Sequence, residues 1–301
     1  MKTFRCVGSA VGDLQVSQSG PWATVRSGCD ALFFSCLAPT PVGGVSGVSA
    51  EQAVHLVAPG PVDQLLVTVG PQFARVTTGA KVLWASASAG ACSPFGSSVF
   101  FGAAILGKRI AVAHVAPSGT PALTILSIAR PNSGITADLP VPCATQYCFA
   151  PRESGLVRVG AVGVSRDTVV VDVSVGGAVS RVVRMPDGFL PDVFVDELHL
   201  LGRNENDDLQ VADVETGRVL GAVEIAADMF VSGAPLVTTG DGNSFGIADG
   251  VVFGVRWRGG RLSLFDVELA NPGGMPFPID VITAIQGRLV AGGGGRVWWF
   301  E

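Results

Sequence analysis

The chain has 301 residues, a net charge of −5, a mean hydropathy of +0.46 and only 15% charged residues. No uninterrupted apolar run reaches the roughly 18–20 residues that span a bilayer. No local run of Lys or Arg offers the concentrated cations that a phosphate backbone needs, so membrane insertion and direct nucleic-acid binding are not expected.

Such a length suits two ordinary domains or one large all-β domain, and so apolar a sequence suits sheets covered on both faces. The first residues, MKTFRCVGSAVGD, lack the apolar core of a secretory signal and the Arg content of a transit peptide. That points to an intracellular protein, cytoplasmic or nuclear. The six cysteines include no CxxC pair and read as small buried hydrophobes in a reducing compartment. A Cys143–Cys148 bridge is the alternative left open.

Gly and Pro punctuate short apolar runs every eight to twelve residues or so, the pattern of a strand-and-turn protein. After KTFRCVG (2–8), the run CDALFFSCLAPT (29–40) alternates like a strand, and SAEQAVHL (49–56) has the periodicity of one short helix. FARVTTGAKVLWAS (73–86) reads as strand, Thr78–Gly79 turn, strand; VFFGAAILG (99–107) reads as a core strand. PALTILSIARPNSG (121–134) and RDTVVVDVSVGGAVSRVV (166–183) repeat the strand–turn–strand form, the second with Asp172 and a Gly176–Gly177 turn. VDELHLLG (195–202) is a further strand. DDLQVADVETGRVLGAVEI (207–225) shows the form in full, with Asp213 and a Thr216–Gly217 turn. GVVFGVRW (250–257) reads as an intermediate strand, GGRLSLFDVELA (259–270) as another copy with Asp266, and GGRVWWFE (294–301) as a last one with no strand after it.

Seven copies spaced by roughly 35–55 residues bracket the period of four-stranded propeller blades. LQVADVETGRVLGAV resembles the third-to-fourth-strand segment of a WD-repeat blade, in which a Trp-Asp strand end precedes a Thr-Gly turn. LSLFDVE and VVVDVS are weaker echoes. The Trp position holds Ala212, Phe265 and Val171, and the opening Gly-His dipeptide is missing. The resemblance implies an all-β, seven-bladed propeller over residues 1–301, of divergent WD-repeat-like type. Its blades fall at about 9–50, 51–88, 95–141, 142–185, 190–226, 233–277 and 278–301, and strand 2–8 closes the last one. Closing the ring in this way removes the unpaired sheet edges.

GNSFG (242–246) matches G-x-S-x-G around Ser244, but a nucleophile elbow needs a helix next, and IADGVVFGV reads as strand and turn. A hairpin loop is the expectation. His55, His114 and His199 stand apart without ligand spacing. NENDD (204–208) and GDGN (240–243) lack the calcium-loop pattern and read as solvated turns. GGGG (292–295) lacks the helix and Lys of a phosphate loop. No cofactor, metal or small-molecule substrate is expected.

Three methionines fall in connections between blades, each followed closely by Phe: Met185 with Phe189, Met229 with Phe230, Met275 with Phe277. In a propeller these connections share one face, and Met and Phe are favoured at interfaces. They are candidates for a partner-binding rim, with Arg166, Arg203 and Arg258 as charged neighbours beside Asp167 and Glu205; the alternative is that they plug the channel end. The function implied by the resemblance is a non-catalytic scaffold for protein partners within a larger assembly. The alternative is a propeller enzyme or small-ligand binder using polar groups at the central channel.

Overall fold

The architecture is that of a computed structural model, which describes residues 4–9, 14–19, 22–27, 29–35, 38–48, 53–59, 64–70, 73–79, 81–87, 102–116, 120–141, 146–150, 155–163, 165–225, 236–239, 241–267, 279–285, 288–293 and 296–300. Among these residues there are 28 strands in seven four-stranded antiparallel sheets, and no helix. Strand β1 (Phe4–Ser9) leaves its sequence neighbours for the last sheet. Blade 1 is β2 (Leu14–Ser19), β3 (Trp22–Ser27), β4 (Asp30–Ser35) and β5 (Ala38–Ser46); blade 2 is β6 (Ala53–Ala58), β7 (Leu65–Gly70), β8 (Phe73–Thr78) and β9 (Lys81–Ala87). Blade 3 is β10 (Gly102–Leu106), β11 (Arg109–Val115), β12 (Pro121–Ser127) and β13 (Arg130–Asp138); blade 4 is β14 (Gln146–Phe149), β15 (Leu156–Val162), β16 (Thr168–Ser174) and β17 (Val179–Arg184). Blade 5 is β18 (Leu190–Phe194), β19 (His199–Arg203), β20 (Leu209–Asp213) and β21 (Val219–Val223). Blade 6 is β22 (Val237–Thr238), β23 (Asn243–Ala248), β24 (Val251–Arg258) and β25 (Arg261–Asp266). Blade 7 is β26 (Val281–Ile285), β27 (Arg288–Gly293), β28 (Arg296–Phe300) and β1.

First strands touch around the ring. β10 meets β14, β14 meets β18, β18 meets β22, β22 meets β26, and β2 meets both β6 and β26; blades 2 and 3 join through β7 and β10. The result is a seven-bladed β-propeller closed by its N-terminal strand. β1 pairs antiparallel with β28 from Phe4↔Phe300 to Ser9↔Arg296, with a bulge between Cys6 and Gly8.

The core is divided into wedges between blades. Successive strand residues point to opposite sheet faces, so in β11 Ile110 and Val112 pack with Val67 and Val76 of blade 2, while Ala111 and Ala113 pack with Val159 and Val171 of blade 4. Leu201 and Val211 of blade 5 likewise meet Val255 and Trp257 of blade 6, and Leu200 and Ala212 turn the other way to Val170 of blade 4. Middle strands are therefore apolar on both faces, which is the physical source of the high hydropathy. TVVVDVS in β16 is buried along all but its last residue, whereas the outer strand β17 is exposed along most of its length. Each fully buried Val, Leu or Ile is worth about 1.5–3 kcal/mol.

Buried polar side chains tie blades together. His114 in β11 bonds Ser86 of blade 2 through Nδ1 (3.0 Å) and Thr124 of its own blade through Nε2 (2.6 Å). Burial lowers its pKa, against a backbone hydrogen bond at Val115. Arg158 forks onto buried Asp172 with Nε–Oδ1 at 2.6 Å and Nη2–Oδ2 at 2.8 Å, and its Nη1 donates to the Glu197 carbonyl of blade 5. Paired and fully bonded, this charge is tolerated in an apolar wedge.

Four expectations are corrected. Residues 53–56 of the expected helix belong to β6, where the burial of AVHLVA alternates over its first four residues, as a half-buried strand requires; residues 49–52 lie outside the described residues. GGRLSLFDVELA supplies the fourth strand of its blade rather than the third, which is GVVFGVRW, because a hairpin (243–258) already fills the second and third places. Ser244 lies within β23 rather than in a loop. It is fully buried with no hydrogen-bond partner, and an antiparallel strand follows it. The cysteines are not all buried: Cys29 is exposed, while Cys148 is the free buried thiol expected, pushed up to about 12 by burial; Cys143 lies outside the described residues.

Removing residues 1–8 is expected to lower the melting temperature of the entire ring, because blade 7 loses its outer strand; scanning calorimetry reads this directly. Because the folded state holds His114 neutral, the unfolded chain binds the extra proton below about pH 6.5. Stability therefore falls as pH drops through that value, by at most about 1.4 kcal/mol per pH unit from this group. Denaturant titrations of wild type and His114→Gln between pH 7.5 and 5.5 check it, with the variant expected to show the weaker dependence.

Candidate interaction surfaces

In a ring of four-stranded antiparallel blades, the second-to-third-strand turns and the blade-to-blade connections share one face. The first-to-second and third-to-fourth turns share the other. The first face holds Arg166 and Asp167 in the turn between β15 and β16, Glu205 in the turn between β19 and β20, and the 185–189 connection. Gly188 and Glu205 are in contact there: a Cβ on Gly188 would lie 2.6 Å from Glu205 Cγ.

The sequence-proposed rim is brought together only in part. Met185 and Phe189 are 6% and 1% exposed and pack with Phe194, Leu200 and Val170. The connection folds back on itself, since the Met185 N–H donates to the Thr168 carbonyl (2.9 Å) and the Thr168 hydroxyl donates to the Phe189 carbonyl (2.5 Å). These two side chains are wedge residues, not surface anchors. Met229, Phe230, Met275 and Phe277 lie outside the described residues. Arg166 is exposed with φ +65°. Arg203 is nearly buried against Asp192, Nε–Oδ2 2.9 Å. Burial pushes the Asp192 carboxyl above its ordinary range, although Arg203 and a backbone amide pull the other way.

Arg258 is on the opposite face. It ends a third strand, so the turn after it (259–260) points away from Arg166 and Arg203. The one-strand shift in blade 6 is the reason.

On that opposite face the tight turns are built by carboxylates. Asp213 Oδ1 accepts from the Glu215 and Thr216 amides (2.9 and 2.7 Å) and from the Thr216 hydroxyl (2.8 Å). Desolvation works slightly against it, yet these donors hold the carboxyl below its ordinary range. Gly217 closes the turn at φ +69°, with the Arg184 carbonyl 2.3 Å from where a Cβ would stand, so no other residue fits. Asp241 caps the β22–β23 turn likewise, accepting from Thr239 and Asn243, and those donors lower its carboxyl against desolvation. On the first face the NENDD loop is a self-capped turn too, with Asn204 Oδ1 accepting from the Asn206 and Asp208 amides.

Between blades 5 and 6 the Asp241 turn and the turn carrying Asp196 border an open recess of about 660 Å³ lined by Asp196, His199, Leu220, Asp241, Trp257 and Arg258, among others. Asp196 Oδ1 accepts from the Leu198 and His199 amides and its carboxylate receives His199 Nδ1 at 2.8–2.9 Å. The His199 ring packs tilted on Trp257 with centroids 5.3 Å apart. Sequence reading treated His199, GDGN and GVVFGVRW as separate strand and turn pieces; only the docking of blade 5 on blade 6 gathers them. Among the described residues no group of three or more His, Cys, Asp or Glu is placed to hold a metal ion, and no helix is long and apolar enough to cross a membrane.

No family model and no curated protein sequence matches the chain. Among solved structures, the β-propeller domain of Myceliophteria thermophila Cps50 (Swd1) superposes with a TM-score of 0.63 over 99% of each chain, at 10% sequence identity. At that identity the likeness shows the fold.

Replacing Asp213 by Ala is expected to cost about 1 kcal/mol of stability, as loss of a side-chain cap does, while Asn retains most of it. The Asp213 contribution is present above about pH 4 and fades as pH falls through the lowered folded-state value. Urea titration at pH 7 and pH 3 checks both the size and the sign.

Proposed function

We propose that the chain is a non-catalytic platform for protein partners, a divergent WD-repeat-like propeller acting as a subunit of a larger intracellular assembly. A fold alone does not fix function; the observation that carries this reading is the recess between blades 5 and 6. Leu220, 45% exposed, lines its wall, and Leu198, 46% exposed, lies in the chain between the lining residues Asp196 and His199. Grouped exposed aliphatics beside a preformed hollow are a mark of partner contact. The walls are held by capped turns, so little ordering entropy opposes docking. The WD-like segment 207–225 supports the family reading through its Asp213 cap and Gly217 turn.

The face of the second-to-third-strand turns and blade-to-blade connections is a second part of the same proposal. Met229, Phe230, Met275 and Phe277 supply its apolar anchors, with the exposed Arg166 as polar neighbour. The likeness to the Cps50 propeller domain supports a propeller platform as its architecture.

Affinity capture from the source cells with the intact chain, with Leu198→Asp/Leu220→Asp and with Met229→Ser/Phe230→Asp tests the reading. One or both variants are expected to lose a captured partner while keeping the wild-type melting temperature. An unchanged partner set in both folded variants would overturn the assignment.

A further inference from the structure

Charge is unevenly distributed along this chain. Residues 64–137 contain Arg75, Lys81, Lys108, Arg109 and Arg130 and not one Asp or Glu; all 25 acidic side chains of the sequence lie outside that span. The span covers most of blade 2 and all but the last residue of blade 3, so an acidic ring carries a basic sector. Its cations are too far apart in sequence to read as a cluster, but the fold gathers them. Lys108 sits in the β10–β11 turn and Arg109 opens β11. Arg109 pairs in register with Ser127, and Ser127 with Arg130 at the start of β13. Lys81 opens β9, the outer strand of blade 2, which touches β13. All four stand at the end of the blades where first-to-second and third-to-fourth turns emerge.

At the edge of this sector, where blade 3 meets blade 4, is a hollow of about 430 Å³. Lys108, Arg109, Ser127 and Ser133 form its polar side, and among the described residues no carboxylate lines it. Its other side is aliphatic. Ile135, 45% exposed, and Val175 of blade 4, 40% exposed, project there over Ile125. The Gly177 turn of blade 4 closes on Ile135, whose Cγ2 stands 2.4 Å from where a Gly177 Cβ would be. Val82, next to Lys81, is 50% exposed. Two cations, two hydroxyls and two exposed aliphatics thus share the hollow, with Arg130 at the next turn and Lys81 on the adjoining blade.

We propose that this corner of blades 2–4 docks an acidic peptide segment of a partner protein, with an aliphatic side chain in the Ile135–Val175 hollow and flanking Asp or Glu residues on Lys108, Arg109, Arg130 and Lys81. The proposal rests on the platform reading and adds the chemistry of one partner. Charge complementarity selects the carboxylates, because the site is cationic on a protein of net charge −5. The aliphatic side selects a peptide over a phosphate backbone, which brings no group to fill such a hollow and draws on more cations than this.

The test uses the full chain and fluorescence anisotropy with labelled heptapeptides carrying a central Leu flanked by Asp and Glu, beside the same peptides with Asn and Gln. The acidic series is expected to bind, more weakly as salt rises, and the amide series at least about tenfold more weakly. Lys108→Glu/Arg130→Glu and, separately, Ile135→Asp are expected to weaken the acidic peptides by about tenfold or more. Both variants change exposed side chains, and an unchanged melting temperature confirms their fold. Equal affinity for the two series, no binding of either, or binding indifferent to both variants overturns the proposal. So does tighter, Lys108/Arg130-dependent binding to a DNA duplex or to phosphatidylserine vesicles than to any peptide. The capture experiment with the blade 5–6 variants is independent, so failure here leaves the platform reading standing on its own result.

Discussion

The pairing of β1 with β28 is the constraint on which the rest depends. A propeller blade is covered by its neighbours and has little core of its own, so each wedge exists only while the ring is shut. Here the first and last strands of the chain share one sheet, from Phe4↔Phe300 to Ser9↔Arg296. Closure is therefore sealed by backbone hydrogen bonds between segments almost the full sequence apart, and it brings β26 against β2. Once closed, every middle strand is buried on two sides. A chain with mean hydropathy of +0.46 then hides its apolar residues without a helix among its described residues.

The ionisable residues inside the wedges are consumed in holding blades to one another. His114 joins blade 2 to blade 3 and is held neutral by burial. Arg158 satisfies Asp172 and reaches across to the Glu197 carbonyl. Arg203 covers Asp192 within blade 5, and the Leu236 amide, just ahead of β22, bonds the same carboxylate. Carboxylates nearer the surface, at Asp213 and Asp241, fold turns by accepting several local donors each. Two such turns, the Asp241 cap and the Asp196–His199 pair, then become walls of the recess between blades 5 and 6. Binding-competent surface arises where structural turns of adjacent blades meet.

Charge follows the ring as well. The span 64–137, free of acids, lies over two adjoining blades, and the acidic remainder lies around them. Since strand ends alternate between faces, cations up to 49 residues apart in the chain stand at the same end of their blades. The same alternation separates Arg258 from Arg166 and Arg203.

The sequence by itself determined the strand-and-turn class, the repeat, the seven blades and the closing strand. These rest on period-two alternation and on turn residues such as Asp213 and Gly217, whose chemistry is local. Tertiary structure alone decided which strand of blade 6 was third and which fourth, because a hairpin of two apolar strands looks the same at either place. It also decided that Met185 and Phe189 point inward, since that follows from hydrogen bonds to the Thr168 carbonyl and hydroxyl that no spacing encodes. The recess of Asp196, His199, Asp241 and Trp257 and the basic corner at Lys108 and Arg130 were equally invisible in one dimension. Each joins residues from different blades, and their proximity comes from blade packing, not from any signal along the chain.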